Sequence, residues 1–193
     1  MPESVEPFSN SLNYKIRSVL GKYNLKAEIH LSNLRGFFHY KNDVKKMLAG
    51  GKDPLIYEYY ENSQPRVEGN LNFGVTIIYP GKVGKEYFLT RGHYHAKEGT
   101  AEVYYGLKGV GIMVLETKKG ESKWIRLGQG QVGYVPPFWA HRTVNTGKKK
   151  LCILFAYPSD SGHNYNTIKQ KGFSKLVVEE RGRPKIVDNP SFT

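Results

Sequence analysis

From Pro54 onward the apolar positions fall into short runs, many of them alternating with polar residues, the period of strands rather than helices. Leu55–Tyr60, Asn70–Tyr79, Lys85–Thr90, Ala101–Leu107, Gly111–Thr117, Ser122–Leu127, Gln131–Val135, His141–Asn145 and Leu151–Tyr157 are rich in aromatic and β-branched residues and read as strands. Ser174–Glu180 and Lys185–Asp188 add two more near the C-terminus. Between them stand turn signals: Pro80-Gly81-Lys82, Lys118-Lys119-Gly120-Glu121 and Thr146-Gly147-Lys148. Many short strands with frequent turns predict an all-β sandwich or barrel. Upstream, Asn24 to Leu31 alternates like a strand, and Asp43 to Ala49 reads as a short helix capped by Asp43 and ended by Gly50-Gly51. Thr167–Lys171 reads as one helical turn. No internal repeat or low-complexity linker divides the chain.

Composition narrows the class. The 193 residues are 39% hydrophobic and 13% aromatic, enough for one packed domain. No stretch approaches the roughly 18 apolar residues of a membrane span, and the first ten residues lack a basic-then-apolar leader pattern. Cys152 is the only cysteine, which excludes an intrachain disulfide and a thiolate metal cluster and makes the cytoplasm the expected location. The net charge of +12 suits an anionic partner. Its lysines and arginines are dispersed, without a nucleic-acid-binding motif, so a phosphorylated small molecule fits better than a nucleic acid.

The chemistry concentrates in two places. His93 and His95 stand two apart, which on a strand turns both imidazoles to one face. Glu102 follows after enough chain for a turn into a partner strand, where its carboxylate can meet them across the ladder. His141 ends the run Pro136-Pro137-Phe138-Trp139-Ala140-His141. Imidazole nitrogens and a carboxylate suit first-row divalent metals. An H-x-H pair or a strand glutamate alone means little; the four in this order are far more specific.

His93, His95, Glu102 and Gly109 resemble the first cupin motif, with a longer gap before the glutamate. Gly130, Pro136, His141 and Asn145 resemble the second, with Phe138 where that motif has glycine. Both departures resemble the archaeal, cupin-type phosphoglucose isomerase family. So do Gly69–Phe73, Tyr79–Glu86, Val135–Asn145, Tyr157-Pro158, Gly162–Tyr165, Lys171–Lys175 and Val187–Pro190, a likeness spanning roughly residues 35–190. The resemblance implies a cupin (jelly-roll) barrel over 35–193 with a few short helices and an N-terminal extension over 1–34. It also implies a homodimer and interconversion of glucose 6-phosphate and fructose 6-phosphate. By the same resemblance His93, His95, Glu102 and His141 hold one divalent ion per subunit, with iron(II) ahead of manganese, nickel, zinc or cobalt. Glu102, His141 and Tyr157 are then the catalytic residues. Thr76, Thr90, Gly92, Tyr104, Tyr157, His163 and Tyr165 bind the sugar phosphate, with Lys85 or Arg91 nearby as a cation.

One geometric demand follows. Strict alternation sets Thr90 and Gly92 on the face opposite His93 and His95, so a bulge or kink at Gly92 is needed to bring both sets to one pocket. Three tyrosines, Tyr57, Tyr59 and Tyr60, read as core and interface residues, and Phe138 and Trp139 as packing at the barrel mouth. Two other functions share the barrel: a metal-dependent dioxygenase and a non-enzymatic sugar-binding or storage protein. Mannose 6-phosphate isomerisation is a further activity close in chemistry.

Overall fold

The computed structural model describes residues 11–13, 18–20 and 23–192. Eleven strands longer than two residues follow the short pairing of Ser11–Asn13 with Ser18–Leu20. They are β1 (Leu25–His30), β2 (Leu55–Asn62), β3 (Leu71–Ile78), β4 (Glu102–Lys108), β5 (Val110–Thr117) and β6 (Ser122–Gly128). β7 (Val132–Val135), β8 (Trp139–Asn145), β9 (Leu151–Pro158), β10 (Lys175–Glu180) and β11 (Arg183–Asp188) complete the set. A larger sheet has the order β7-β4-β9-β3-β2-β1, and a smaller one the order β6-β5-β8. All pairings are antiparallel, and β9 lies between β4 and β3, so the chain crosses over rather than meandering. The two sheets enclose one core in which Tyr57, Ile78, Ile153 and Phe155 of the larger meet Met113 and Leu115 of the smaller. This is the double-stranded β-helix of a cupin barrel.

The alternation of side chains along the strands decides what reaches the interior. On β4, Glu102, Tyr104 and Gly106 are buried, while Val103 and Tyr105 face outward. β7 repeats the pattern, Gly133 and Val135 inward, Val132 and Tyr134 outward. The strand expected at 24–31 is β1, the edge of the larger sheet, and Leu31 and Leu34 just after it are fully buried in the core. The packed unit therefore takes in residues ahead of 35.

Two local expectations need correction. The first helix, α1, is Lys41–Ala49, with Tyr40 at its N-cap; Asp43 lies in the first turn, where its charge meets the helix dipole, and is not the cap. The run expected at Lys85–Thr90 is broken up: Glu86–Tyr87 pairs with Lys82–Val83, and Glu86 with Val178 of β10, before an isolated bridge from Leu89 to Val144. The helical turn near 167 is a second helix, α2 (Asn166–Lys171).

β8 is buried almost throughout, because both of its faces are covered. Its inner face meets the core, and its outer face carries Arg142, 3% exposed, whose guanidinium stacks 4.7 Å from the Phe173 ring. Arg142 donates from Nε and Nη2 to the carbonyl oxygen of Arg91, at 3.2 and 2.7 Å. Burial pulls its pKa down to about 10, against the field of the buried Glu86 and Glu116 carboxylates. Burial in turn pushes Glu86 up to about 7, although Arg142 and the His39 backbone N–H both favour its charge. Glu116 accepts from the Ser174 N–H at 2.7 Å, tying the C-terminal segment to the same layer. Arg142→Met would leave the Arg91 carbonyl and the neighbouring carboxylates without their cation. We expect it to lower stability by on the order of 3 kcal/mol in urea titration.

Candidate metal centre

Four side chains converge at one end of the barrel from both sheets. His93 is bridged to β8 at His141 by paired backbone hydrogen bonds, His93 N–H to His141 O at 3.2 Å and the reverse at 3.1 Å. Tyr94–His95 pairs with His163–Asn164, and Glu102 opens β4 opposite Val135. The ligand atoms of His93, His95, Glu102 and His141 all lie within 4.8 Å of one another. Glu102 Oε2 is 3.2 Å from His95 Nε2 and 3.1 Å from His141 Nε2.

The hydrogen-bond pattern tests whether a cation fits. His95 Nδ1 faces the Thr100 carbonyl at 3.1 Å and its hydroxyl at 2.8 Å. A nitrogen facing a carbonyl must carry the hydrogen, which leaves His95 Nε2 a bare lone pair aimed at a carboxylate oxygen. His93 Nε2 and His141 Nδ1 are buried with no hydrogen-bond partner. Lone pairs crowded around one point, with the unpaired His93 Nε2 among them, are what a divalent ion relieves. Burial, and then the neighbouring His141, hold His93 well below the usual imidazole range, so it offers a neutral nitrogen. Burial opposes ionisation of Glu102 too, but His141 foremost outweighs it, and the carboxyl lies well below the usual range. The group could hold one metal ion.

Beside the cluster is a cavity of about 260 Å³. His93, Glu102 and His141 line it, whereas His95 is buried behind them. Thr76, Thr90, Gly92, Tyr104, Tyr157, His163 and Tyr165, all expected at the site, also line it. Tyr104 Oη is 3.0 Å from His141 Nε2. His163, its pKa lowered to about 4 by burial, packs edge-on against His93 with centroids 4.3 Å apart. The chain kinks at Gly92, whose φ of 73° is open to glycine at little cost. A Cβ there would stand 2.6 Å from the Phe173 ring and 2.9 Å from the His141 carbonyl oxygen. The kink turns both Thr90 and His93 to the cavity. Thr90 Oγ1 accepts from the Thr143 N–H at 3.1 Å, which leaves the hydroxyl hydrogen for a ligand.

The remaining expectations hold in part. Lys85 is exposed and away from the cavity, its carbonyl accepting from Glu179 N–H; Arg91 is the cation that lines the wall, 5.9 Å from the centroid of the Tyr165 ring. Tyr57 belongs to the core, as expected, and Tyr59 packs against it; both also line the cavity, with Glu61 and Thr143. Phe138, where the cupin motif has glycine, keeps a left-handed φ of 71° and an exposed ring. The glycine conformation is therefore retained without the glycine.

With this geometry in place, comparison with known proteins is decisive. The family described as Glucose-6-phosphate isomerase (GPI) matches residues 29–190. The chain belongs to the glucose-6-phosphate isomerase family. Its similar relatives include proteins of that name from Thermococcus kodakarensis, 54% identical over 84% of this chain and 85% of the relative, and from Pyrococcus horikoshii, 53% identical over 97% of each. The Pyrococcus furiosus relative is 48% identical over 97% of each chain. Among solved structures, Bacillus subtilis oxalate decarboxylase overlaps 55% of this chain and 27% of its own at 20% identity, with a TM-score of 0.44. For this member of the family, His93→Ala or His141→Ala should abolish stoichiometric metal, measured by elemental analysis after dialysis. Full retained metal would sink the ligand assignment.

Proposed function

We propose that the chain is a metal-dependent aldose–ketose isomerase interconverting D-glucose 6-phosphate and D-fructose 6-phosphate. One observation carries this reading. The metal-binding constellation and a set of anion donors share a single cavity: Thr76, Thr90 and Tyr165 hydroxyls, the kinked backbone at Gly92, and the Arg91 guanidinium. A dioxygenase would use the same three imidazoles and carboxylate but would have no use for the donors. A storage protein would need neither.

The reaction moves one hydrogen between C1 and C2 and one proton between the two oxygens they bear. A divalent ion held by His93, His95, Glu102 and His141 would supply Lewis acidity to the carbonyl of the open-chain sugar. Glu102, held ionised, is the base available to lift the proton from C2 and return it at C1. His141 flanks it from the smaller sheet, its Nε2 3.1 Å from the carboxylate. Tyr157 faces the cavity as a neutral phenol, its pKa raised by burial and then by Glu61, and can hold a sugar hydroxyl. The phosphate is anchored at Thr76, Thr90, Gly92 and Tyr165, at the Arg91 end. The +12 net charge favours the approach of that dianion.

Iron(II) is our choice of ion; manganese, nickel, zinc and cobalt suit the same donors. Mannose 6-phosphate, which differs from glucose 6-phosphate at C2, is the natural side substrate to try. No helix among the described residues is long and apolar enough to cross a membrane, and we place the enzyme in the cytoplasm, where the buried thiol of Cys152 stays reduced.

We also propose that the functional unit is a homodimer joined across the outer face of the larger sheet. Register aligns Val132, Tyr105 and Leu154 in one row and Tyr134, Val103 and Ala156 in the next. Val132 is 67% exposed and Tyr134 55%, an apolar and aromatic surface that a second copy would cover. Light scattering should give twice the monomer mass for the parent chain and the monomer mass for Tyr105→Lys/Val132→Lys. A double variant that stays dimeric would remove this face.

The isomerase reading is tested by a coupled assay with fructose 6-phosphate. Turnover should vanish on chelator treatment and return with a single divalent metal. No turnover with any metal, while metal still binds, would favour the dioxygenase or binding-protein reading. Thr90→Val should raise KM about tenfold by removing one charge-assisted hydrogen bond to phosphate; an unchanged KM would take Thr90 out of the phosphate site.

A further inference from the structure

The cavity wall carries a second carboxylate, Glu61, outside the histidine cluster. It is 6% exposed, and its donors are hydroxyls: Ser63 Oγ, and Tyr157 Oη at 3.0 Å, both to Oε1. Burial raises its pKa against the pull of those two bonds. A carboxylate kept in such a place costs stability and contributes little to packing.

The strands make room for it. Glu61 lies opposite Gly74 in the β2–β3 ladder, and a Cβ on residue 74 would stand 2.7 Å from the Phe155 ring and 2.9 Å from the Glu61 Cα. Tyr157 lies opposite Asn72 in the β9–β3 ladder, where Asn72 Oδ1 accepts from the Gln64 N–H at 2.8 Å. The phenol gives its single hydrogen to Glu61, so toward the cavity its oxygen can only accept.

We infer that Glu61 is a positioning residue for Tyr157: by taking the phenolic hydrogen, it presents the Tyr157 oxygen to the sugar as a hydrogen-bond acceptor. The ligand group is a hydroxyl of the open-chain substrate, beside the carbons that exchange hydrogen. Without Glu61 the phenol is free to rotate and to donate, a polarity that repels no hydroxyl but no longer selects its orientation. This inference rests on the isomerase reading for its substrate.

The test is a double-mutant cycle in the full chain loaded with metal. Glu61→Ala should lower kcat/KM for fructose 6-phosphate about tenfold, with metal content and thermal midpoint as in the parent. Glu61→Gln should recover most of the loss, because its Oε1 still accepts. In a Tyr157→Phe background, adding Glu61→Ala should change kcat/KM by less than about twofold. An unchanged kcat/KM in Glu61→Ala, or an equal loss in both backgrounds, would overturn the inference. Calorimetric binding of fructose 6-phosphate to the same proteins keeps the two questions apart. A parent chain without turnover would sink the isomerase reading. The inference would then stand if Glu61→Ala weakens binding only where the Tyr157 hydroxyl is present, and fall if it weakens binding equally in both backgrounds.

Discussion

An ionised carboxylate buried in an apolar barrel must be surrounded by groups that favour its charge, and in this chain those groups arrive from both sheets. Glu102 comes from the larger sheet and His141 from the smaller, while His93 and His95 come from the irregular segment between. The four atoms can sit within 4.8 Å only if the sheets close over one another at that end. Barrel closure and site assembly are thus the same event. The kink at Gly92 extends the arrangement, because it lets one short stretch serve the cluster through His93 and the anion end of the cavity through Thr90. Arg142 fixes that kink from behind by gripping the Arg91 carbonyl.

Much of this was legible in the order of residues. The H-x-H spacing, the glutamate after a turn and the later histidine mark a cluster wherever strands alternate cleanly, and β4 and β7 do. The demand for a kink at Gly92 followed from parity once the resemblance had put Thr90 and Gly92 in the same pocket as His93 and His95. Alternation fails as a guide where a strand is covered on both faces. β2 is such a strand, buried at six of its eight positions, so no periodic signal sets apart its cavity-facing residues: Tyr57 and Tyr59 read as core and interface alone, and Glu61 is not singled out. Lys85 was a plausible cation by proximity in sequence, but the chain turns it outward, and Arg91, beside the kink, faces the cavity instead.

Phe138 makes a related point about motifs. The cupin pattern has glycine there, the residue that takes a left-handed conformation at least cost. The phenylalanine keeps φ at 71° with its ring in solvent and its N–H bonded to the Glu98 carbonyl at 2.7 Å. What the fold specifies at that position is a backbone angle, and residue type is one means to it. The same logic makes the gap between His95 and Glu102 tolerable, since Thr100 within that gap orients the His95 ring.

The cover over β8 has a consequence in time. Phe173 and Ser174, which shield Arg142 and bind Glu116, follow His141 by three decades of sequence. A ribosome releases them well after the last histidine of the cluster has emerged. Until they arrive, the strand bearing that histidine has one face bare and its buried arginine open to water. The nascent chain therefore owns all four metal-binding side chains before it owns the roof that holds them in register.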